Sequence, residues 1–469
     1  MMRKAKIPRV TIAGLGGDSG KTIVSTGILA LLKKRKLSTA VFKKGPDYID
    51  PLWLKYASGN TVRNLDRRLM SDETILSSFK RNAAGKDFTL IEGNRGLYDG
   101  VDAGGTYSTA ELAKLLDSPV ILTASFKKIT ATAAAIILGL QQFDKDVNIA
   151  GIILNQYGND RQRKVITEAI EKTTGIPVIG AIPRLKNKTD ILPSRHLGLI
   201  TPDEYESANK AVDELAAVIE KYIDIEKVIS IAESAPEMEI DDAINIREIS
   251  EIPERKVRIA YFFDKAFSFY YDENLEALQK RGAELVKLSA IDDKDLKGVH
   301  ALYIGGGFPE TNIDALTSNS DMMKAVKTAA DNNMPIYAEC GGMMYLARSL
   351  ELGGEMTSLA NVLPVELTMS KKPQGHGYMN ITIDKENPFF EKGVRIKGHE
   401  FHYSKVSSHP TDLPTCMAVE RGTGTFDGRD GMIYKNCLGA YIHIHASATP
   451  EWAEGLVKKA IEFKNQTLD

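Results

Sequence analysis

Cysteine is scarce. The chain has only Cys340, Cys416 and Cys437, an odd number at wide spacing and without a CxxC pair. A disulfide framework is thereby excluded, and a reducing, cytoplasmic setting is expected. Long apolar runs are also lacking, and no stretch approaches the roughly 18 uninterrupted apolar residues that a membrane helix needs. The basic start, Met1 to Lys6, leads into apolar Val10 to Ala13, but a glycine-rich run follows at once, too early for a secretory signal. Neither sign of charge is in excess: 60 Lys and Arg stand against 62 Asp and Glu, a net of −2. No global field therefore draws the chain to nucleic acid or an anionic membrane. Repeats and low-complexity tracts are missing too. What remains is an ordinary globular composition, 43% hydrophobic and 26% charged over 469 residues, enough for two or three domains. Small molecules are the expected partners.

Val10 to Ala13 reads as a buried strand, Gly14 to Gly20 as a loop, and Lys21 to Lys33 as a helix with Val24, Ile28, Leu31 and Leu32 on one face. Apolar runs recur at residues 39–42, 88–91, 119–122, 149–154 and 177–182, separated by segments of helical length. Strands buried on both faces and alternating with helices predict a parallel, doubly wound sheet. The pattern fades into an acidic stretch, Glu233 to Asp242, then Pro253 and a basic run. A second α/β series follows, with strands at residues 257–263, 284–288, 301–304 and 335–338, a strand-rich tract over 362–444 and a closing helix over 451–465. The expected organisation is a domain over 1–225, a linker over 226–255 and a second domain over 256–469.

Gly14-Leu-Gly-Gly-Asp-Ser-Gly20-Lys21-Thr22 lies between strand and helix, where backbone N–H groups can cradle phosphates. The strict phosphate-loop pattern wants its first glycine five residues before Gly20, where Leu15 stands; Gly14 is six before, a longer loop. Lys21 is expected to reach the β- and γ-phosphates and Thr22 to hold Mg²⁺. A dinucleotide fingerprint fails because Ser19 occupies its third glycine position. Mg²⁺ calls for one or two carboxylates at neighbouring strand ends. Lys43-Lys-Gly-Pro-Asp47-Tyr-Ile-Asp50 and Glu92-Gly-Asn-Arg95-Gly-Leu-Tyr98-Asp99 follow the second and third strands, on the edge where such sheets bind ligands. Either acid alone is an ordinary turn residue; beside the phosphate loop they point to a metal.

The segments KKGPDYIDP, IEGNRGLYDG, GIILN, GGGFPE, AECGGMMYL, GHEFHYS and AYIHIH resemble, in order and spacing, the cobyrinic acid a,c-diamide synthases. These are ATP- and glutamine-dependent amidotransferases of corrinoid synthesis. The resemblance spans nearly the whole chain and implies a P-loop NTPase domain like dethiobiotin synthetase, followed by a class I glutamine amidotransferase-like domain. It further implies that ATP phosphorylates a substrate carboxylate and that ammonia from glutamine displaces the phosphate. Carried over by residue, it assigns Gly16, Gly17, Asp18, Ser19, Gly20, Lys21 and Thr22 to the phosphates, Thr22, Asp47 and Glu92 to Mg²⁺, and Asn155 to the adenine. Lys43, Asp50, Arg95, Tyr98 and Asp99 are expected on the substrate side; for Lys43 a solvated loop lysine is the plain alternative. The implied partners are glutamine and a tetrapyrrole polycarboxylate, with a homodimer left open. Asn94-Arg95, and Phe126-Lys-Lys-Ile-Thr130 where an acidic-plus-Arg loop is commoner, depart from the family pattern, so sirohydrochlorin, its nickel complex or sirohaem is the alternative substrate. A partition-type switch ATPase with a disused second domain is the rival from another class. It would carry a signature lysine where Gly16 stands.

Glutamine hydrolysis needs a thiolate, a base and oxyanion donors. Cys340 stands where a strand turns into a helix between Glu339 and two glycines, like a nucleophile elbow, and a helix start is expected to lower its pKa. Cys416 and Cys437 lie in apolar runs and read as core. The family places its activating histidine at His443. Many class I glutaminases carry a carboxylate two residues later, where this chain has His445, so the third member is open. Gly306, Gly307 and Gly341 are the candidate oxyanion and glutamine site. A metal pair at His443 and His445 is conceivable, but HExxH spacing is absent. His399, Glu400, His402 and Tyr403 are expected at an interface or substrate site.

Overall fold

A computed structural model describes residues 2–184, 192–195, 198–241 and 256–468. The chain forms two compact units, Met1–Ser250 and Glu251–Asp469.

In the first unit, seven parallel strands run in the order Val62–Leu65, Thr39–Lys44, Phe88–Glu92, Arg9–Gly14, Val120–Ala124, Ile149–Tyr157, Val178–Pro183. The three central strands are buried throughout, which is why they read as continuous apolar runs rather than as alternation. From Arg9–Gly14 the chain first builds outward on one side and later on the other. The carboxyl ends at this reversal form a crevice of the kind that binds ligands in open α/β sheets. Helix Lys21–Lys34 crosses helix Ala208–Tyr222 so closely that a Cβ on Gly27 would stand 2.4 Å from Ile219 Cγ1. Glycine costs a helix interior about 1 kcal/mol relative to alanine, and here it permits the crossing.

The expected linker begins too early. Helix Ile225–Glu233 is capped by Asp224 and buries Ile225, Val228 and Ala232. Strand Met238–Asp241 then pairs antiparallel with Met2–Ala5. Residues 226–241 therefore belong to the first unit: Met238 and Ile240 are buried although the surrounding acids suggest a solvated segment. Residues 242–255 lie outside the described residues.

The second unit holds a nine-stranded mixed sheet. Ala283–Leu288, Val257–Phe262, Ala301–Ile304, Ile336–Glu339 and Cys437–Ala440 run parallel. Arg429–Tyr434, Thr415–Arg421, Gly375–Ile383 and Arg395–His402 continue it antiparallel. The doubly wound description thus covers the parallel strands, and hairpin-type pairing accounts for the strand-rich tract. Helix Pro450–Leu468 closes the unit, with buried Trp452 edge-on to Tyr303 and Tyr337 at 5.0 and 5.5 Å.

Candidate functional site

In the first unit the loop after Arg9–Gly14 is shaped by its own side chains. Ser19 Oγ accepts from Gly16 N at 3.0 Å and donates to Gly16 O at 2.9 Å. Gly20 caps the helix with φ +91°, and a Cβ there would lie 2.0 Å from Asn155 Nδ2. Asn155, expected at the adenine, donates from Nδ2 to Ser19 O at 2.9 Å and so braces the loop. Lys21 Nζ is buried over the loop, donating to Arg95 O at 2.7 Å and Gly16 O at 3.3 Å. Burial and then the Lys43 charge lower its pKa, leaving an ammonium that gains from an arriving anion.

Lys43 is not a solvated loop residue. At 1% exposure its Nζ lies 2.6 Å from Asp50 Oδ2, 2.8 Å from Glu92 Oε1 and 3.5 Å from Asp47 Oδ2. Burial alone would lower its pKa, but Asp50, Glu92 and Asp47 together raise it well above the ordinary value. Burial pushes the Glu92 and Asp47 carboxyls up; at Asp50 burial is again the largest influence, but the Lys43 charge and hydrogen bond together with hydrogen bonds to Asp47 and Glu92 hold the group down. Asp47 Oδ1 also accepts from Ile49 N and Asp50 N, starting helix Ile49–Ser58.

Thr22 Oγ1 lies 3.3 Å from Glu92 Oε1, and Glu92 Oε2 is buried without a hydrogen-bond partner. That orphaned oxygen suits a hard cation. Among the described residues no three or more His, Cys, Asp or Glu side chains are arranged to hold a metal on their own. An ion here would therefore draw on two carboxylates, Thr22, phosphate oxygens and water, the usual company of Mg²⁺. Of the other expected substrate-side residues, Arg95 is exposed at the strand end. Tyr98 is committed to Leu140 O at 2.7 Å, and Asp99 accepts from Gly96 N within its own turn.

In the second unit Cys340 follows strand Ile336–Glu339 and opens the short helix Gly341–Leu346. Its φ of +46° is a strained conformation for a residue with a Cβ. The turn is held by Cys340 N to Ala440 O at 2.7 Å, and the thiol donates to Phe401 O at 3.8 Å. Contrary to the expectation from the helix start, the thiol pKa is raised. Burial dominates, Glu310 adds to it, and the Gly341 N–H only partly opposes them. The thiol needs a base.

His443 supplies an imidazole against the glycine run: a Cβ on Gly306 would lie 2.6 Å from His443 Cε1. A Cβ on Gly341 would lie 3.0 Å from Gly307 N, so Gly306, Gly307 and Gly341 bring backbone amides, the cysteine turn and the imidazole into one neighbourhood. Tyr270 Oη accepts from Gly305 N at 2.8 Å and orients this run.

His399 stacks on His443, centroids 4.9 Å apart and planes within 19°. Glu400 accepts from Thr423 N, Gly424 N and His402 Nε2, and His402 stacks on Tyr441 at 3.5 Å. Glu400 and His402 are thus buried pegs of their own unit. Two carboxylates escaped the sequence reading: Glu339, 3.4 Å from His443 Nδ1, and Glu273, 3.8 Å from His445 Nε2. Glu339 meets its histidine through strand adjacency and Glu273 from the first turn of helix Asp272–Lys280, although Glu339's place beside the nucleophile was a usable signal.

Residues 10–197 match the CobQ/CobB/MinD/ParA nucleotide binding domain, and residues 258–451 match the CobB/CobQ-like glutamine amidotransferase domain. Three curated relatives bear the name cobyrinate a,c-diamide synthase. That of Magnetococcus marinus is 41% identical over 455 residues, covering 97% of each chain. That of Archaeoglobus fulgidus is 40% identical over 460 residues, covering 98% of each. That of Caldanaerobacter subterraneus is 39% identical over 455 residues, 96% of this chain and 98% of the relative.

Proposed function

Because the chain belongs to the family of the cobyrinate a,c-diamide synthases, we propose that it is a glutamine-dependent carbon–nitrogen ligase that amidates the a- and c-acetate carboxylates of cobyrinic acid at the expense of ATP. The observation that carries this reading is the strained, buried Cys340, whose turn packs on Gly307 while His443 packs on Gly306, in a chain that also holds a phosphate loop with Thr22 against Glu92 and a Lys43, Asp47, Asp50 and Glu92 cluster beside it. A switch ATPase has no use for the first.

In the first unit a substrate carboxylate oxygen attacks the γ-phosphorus of ATP, and ADP leaves. Lys21 and the loop amides balance charge that shifts toward the β–γ bridge. Mg²⁺ at Thr22, Asp47 and Glu92 would neutralise phosphate charge when bound. Lys43 orients the incoming carboxylate against the acids that fix its own position. In the second unit His443 takes the Cys340 proton, and the thiolate attacks the glutamine amide carbon while backbone N–H groups of Gly307 and Gly341 receive the oxyanion. Ammonia departs with the returned proton, and water cleaves the thioester to glutamate. Ammonia then attacks the acyl phosphate, phosphate leaves, and the amide remains.

The test is incubation with ATP, Mg²⁺ and glutamine against cobyrinic acid and, separately, sirohydrochlorin and its nickel complex, with products followed by mass. Two acid-to-amide conversions of cobyrinic acid are expected. Conversion of sirohydrochlorins alone would shift the substrate to the alternative that Asn94-Arg95 and Phe126 to Thr130 suggest. Cys340→Ala should abolish glutamate release while added ammonium still supports amidation; unchanged glutamine use would refute the nucleophile.

A further inference from the structure

We propose that Glu339, the residue immediately before the nucleophile, is the carboxylate that positions His443, in place of the downstream acid whose site His445 occupies. The inference rests on the reading of Cys340 and His443 as a glutaminase pair.

The sheet register dictates the contact. Strand Ile336–Glu339 lies parallel to Cys437–Ala440 with Glu339 opposite Ala440, so the chain that continues from Ala440 carries His443 back over the Glu339 side chain. Glu339 is fully buried. Its Oε1 accepts from Ile444 N and its Oε2 from the Tyr303 hydroxyl, each at 3.3 Å. Two neutral donors fix the rotamer, and Oε2 also stands 3.4 Å from His443 Nδ1. That is ion-pair distance rather than a formed hydrogen bond, and catalytic contacts of this kind often tighten only when substrate binds. A carboxylate at Nδ1 selects the tautomer whose Nε2 is free to accept a proton and stabilises the imidazolium that results.

His445 is turned to other work. Its Nδ1 accepts from Ser447 N at 3.2 Å, and its Nε2 is directed to Glu273 at 3.8 Å. The opposite face of His443 is covered by His399, whose pKa burial and the neighbouring histidines push well below the ordinary value. That ring is neutral and does not compete for the proton. The ionisable groups facing His443 include Glu339 from its strand, with Tyr303 behind it, and His399 from the adjoining strand, which in turn feels His445, His376 and the Tyr271 hydroxyl.

Glu339→Gln keeps the shape and removes the charge. Its glutaminase kcat should fall by about 100-fold, the lower end of what a positioned general base contributes, with KM for glutamine within about threefold. Ammonium-supported amidation should stay within about twofold of wild type. Removing a negative charge from beside the base should move the acid limb of kcat/KM for glutamine to lower pH. Glu339→Asp retains the charge, so its acid limb should stay near that of wild type even where kcat falls; it also serves as the probe should the Gln variant not fold. Glutaminase of Glu339→Gln within about threefold of wild type, an unmoved limb, or equal loss of both nitrogen sources would overturn the proposal. Cys340→Ala separates the failures: retained glutamine hydrolysis there would sink the glutaminase reading itself.

Discussion

At the scale of single residues the first unit is organised around a cation. Lys43 is enclosed by Asp47, Asp50 and Glu92, and three carboxylates brought together without it would face mutual repulsion and desolvation. Removing one member of a buried charge set typically costs about 3–5 kcal/mol, because the partners are left uncompensated. Lys43→Met, similar in volume but uncharged, should therefore lower the urea unfolding free energy of the first unit by that amount at neutral pH. It should also abolish amidation with glutamine and with ammonium alike, while glutamate release from the Cys340 site persists. Unaltered stability would mean that the acids neutralise one another through shared protons. Lys43 also marks what a sequence cannot disclose. Its place at a strand end was legible, but its burial follows from the neighbouring strand delivering Glu92 to the same point.

At the scale of elements, periodicity and punctuation made most of the fold readable. Helix Lys21–Lys34 follows the first loop as expected, and the Glu-Cys-Gly-Gly turn sits between strand and helix because only a sharp reversal fits there. The misses share one cause. Residues 226–241 look like a solvated linker by composition, yet alternate apolar side chains reach a core that the local pattern does not reveal. Glu339 reaches its histidine only through strand register, and Glu273 only through the packing of helix Asp272–Lys280.

The antiparallel half of the second sheet relies on a similar long-range contact. Arg429 donates to both oxygens of Asp384, at 2.6 and 2.7 Å, and to Thr415 Oγ1, tying strand Arg429–Tyr434 to the end of strand Gly375–Ile383. The Arg429 hydrogen bonds hold the Asp384 carboxyl below its usual range, against modest desolvation. An acid whose folded pKa is depressed contributes stability above its unfolded value, about 3.9, and loses it as pH falls through the folded value. Asp384→Asn should thus cost about 1 kcal/mol at pH 7, the upper end for a partly exposed pair. The gap from wild type should narrow steadily below about pH 4 in paired denaturation curves. A gap independent of pH would show that the clamp acts through shape rather than charge.

At the scale of the whole molecule, two units with separate cores carry the two halves of one reaction, one activating an acid and the other releasing nitrogen. If activation precedes nitrogen delivery, blocking the second unit should leave the first poised. In Cys340→Ala without ammonium, the acyl phosphate has no nitrogen to meet and collapses only by hydrolysis. Hydroxylamine should intercept it: the amine attacks the acyl carbon, phosphate leaves, and a hydroxamate of the tetrapyrrole accumulates with one ADP for each group captured. The signal should require ATP and vanish in Lys21→Ala, whose ammonium reaches over the phosphate loop. It should also vanish when the acetate groups are already amides. ADP formed without hydroxamate would mean that the nucleotide is spent on water or on a conformational step, and the acyl phosphate assigned to the first unit would be refuted.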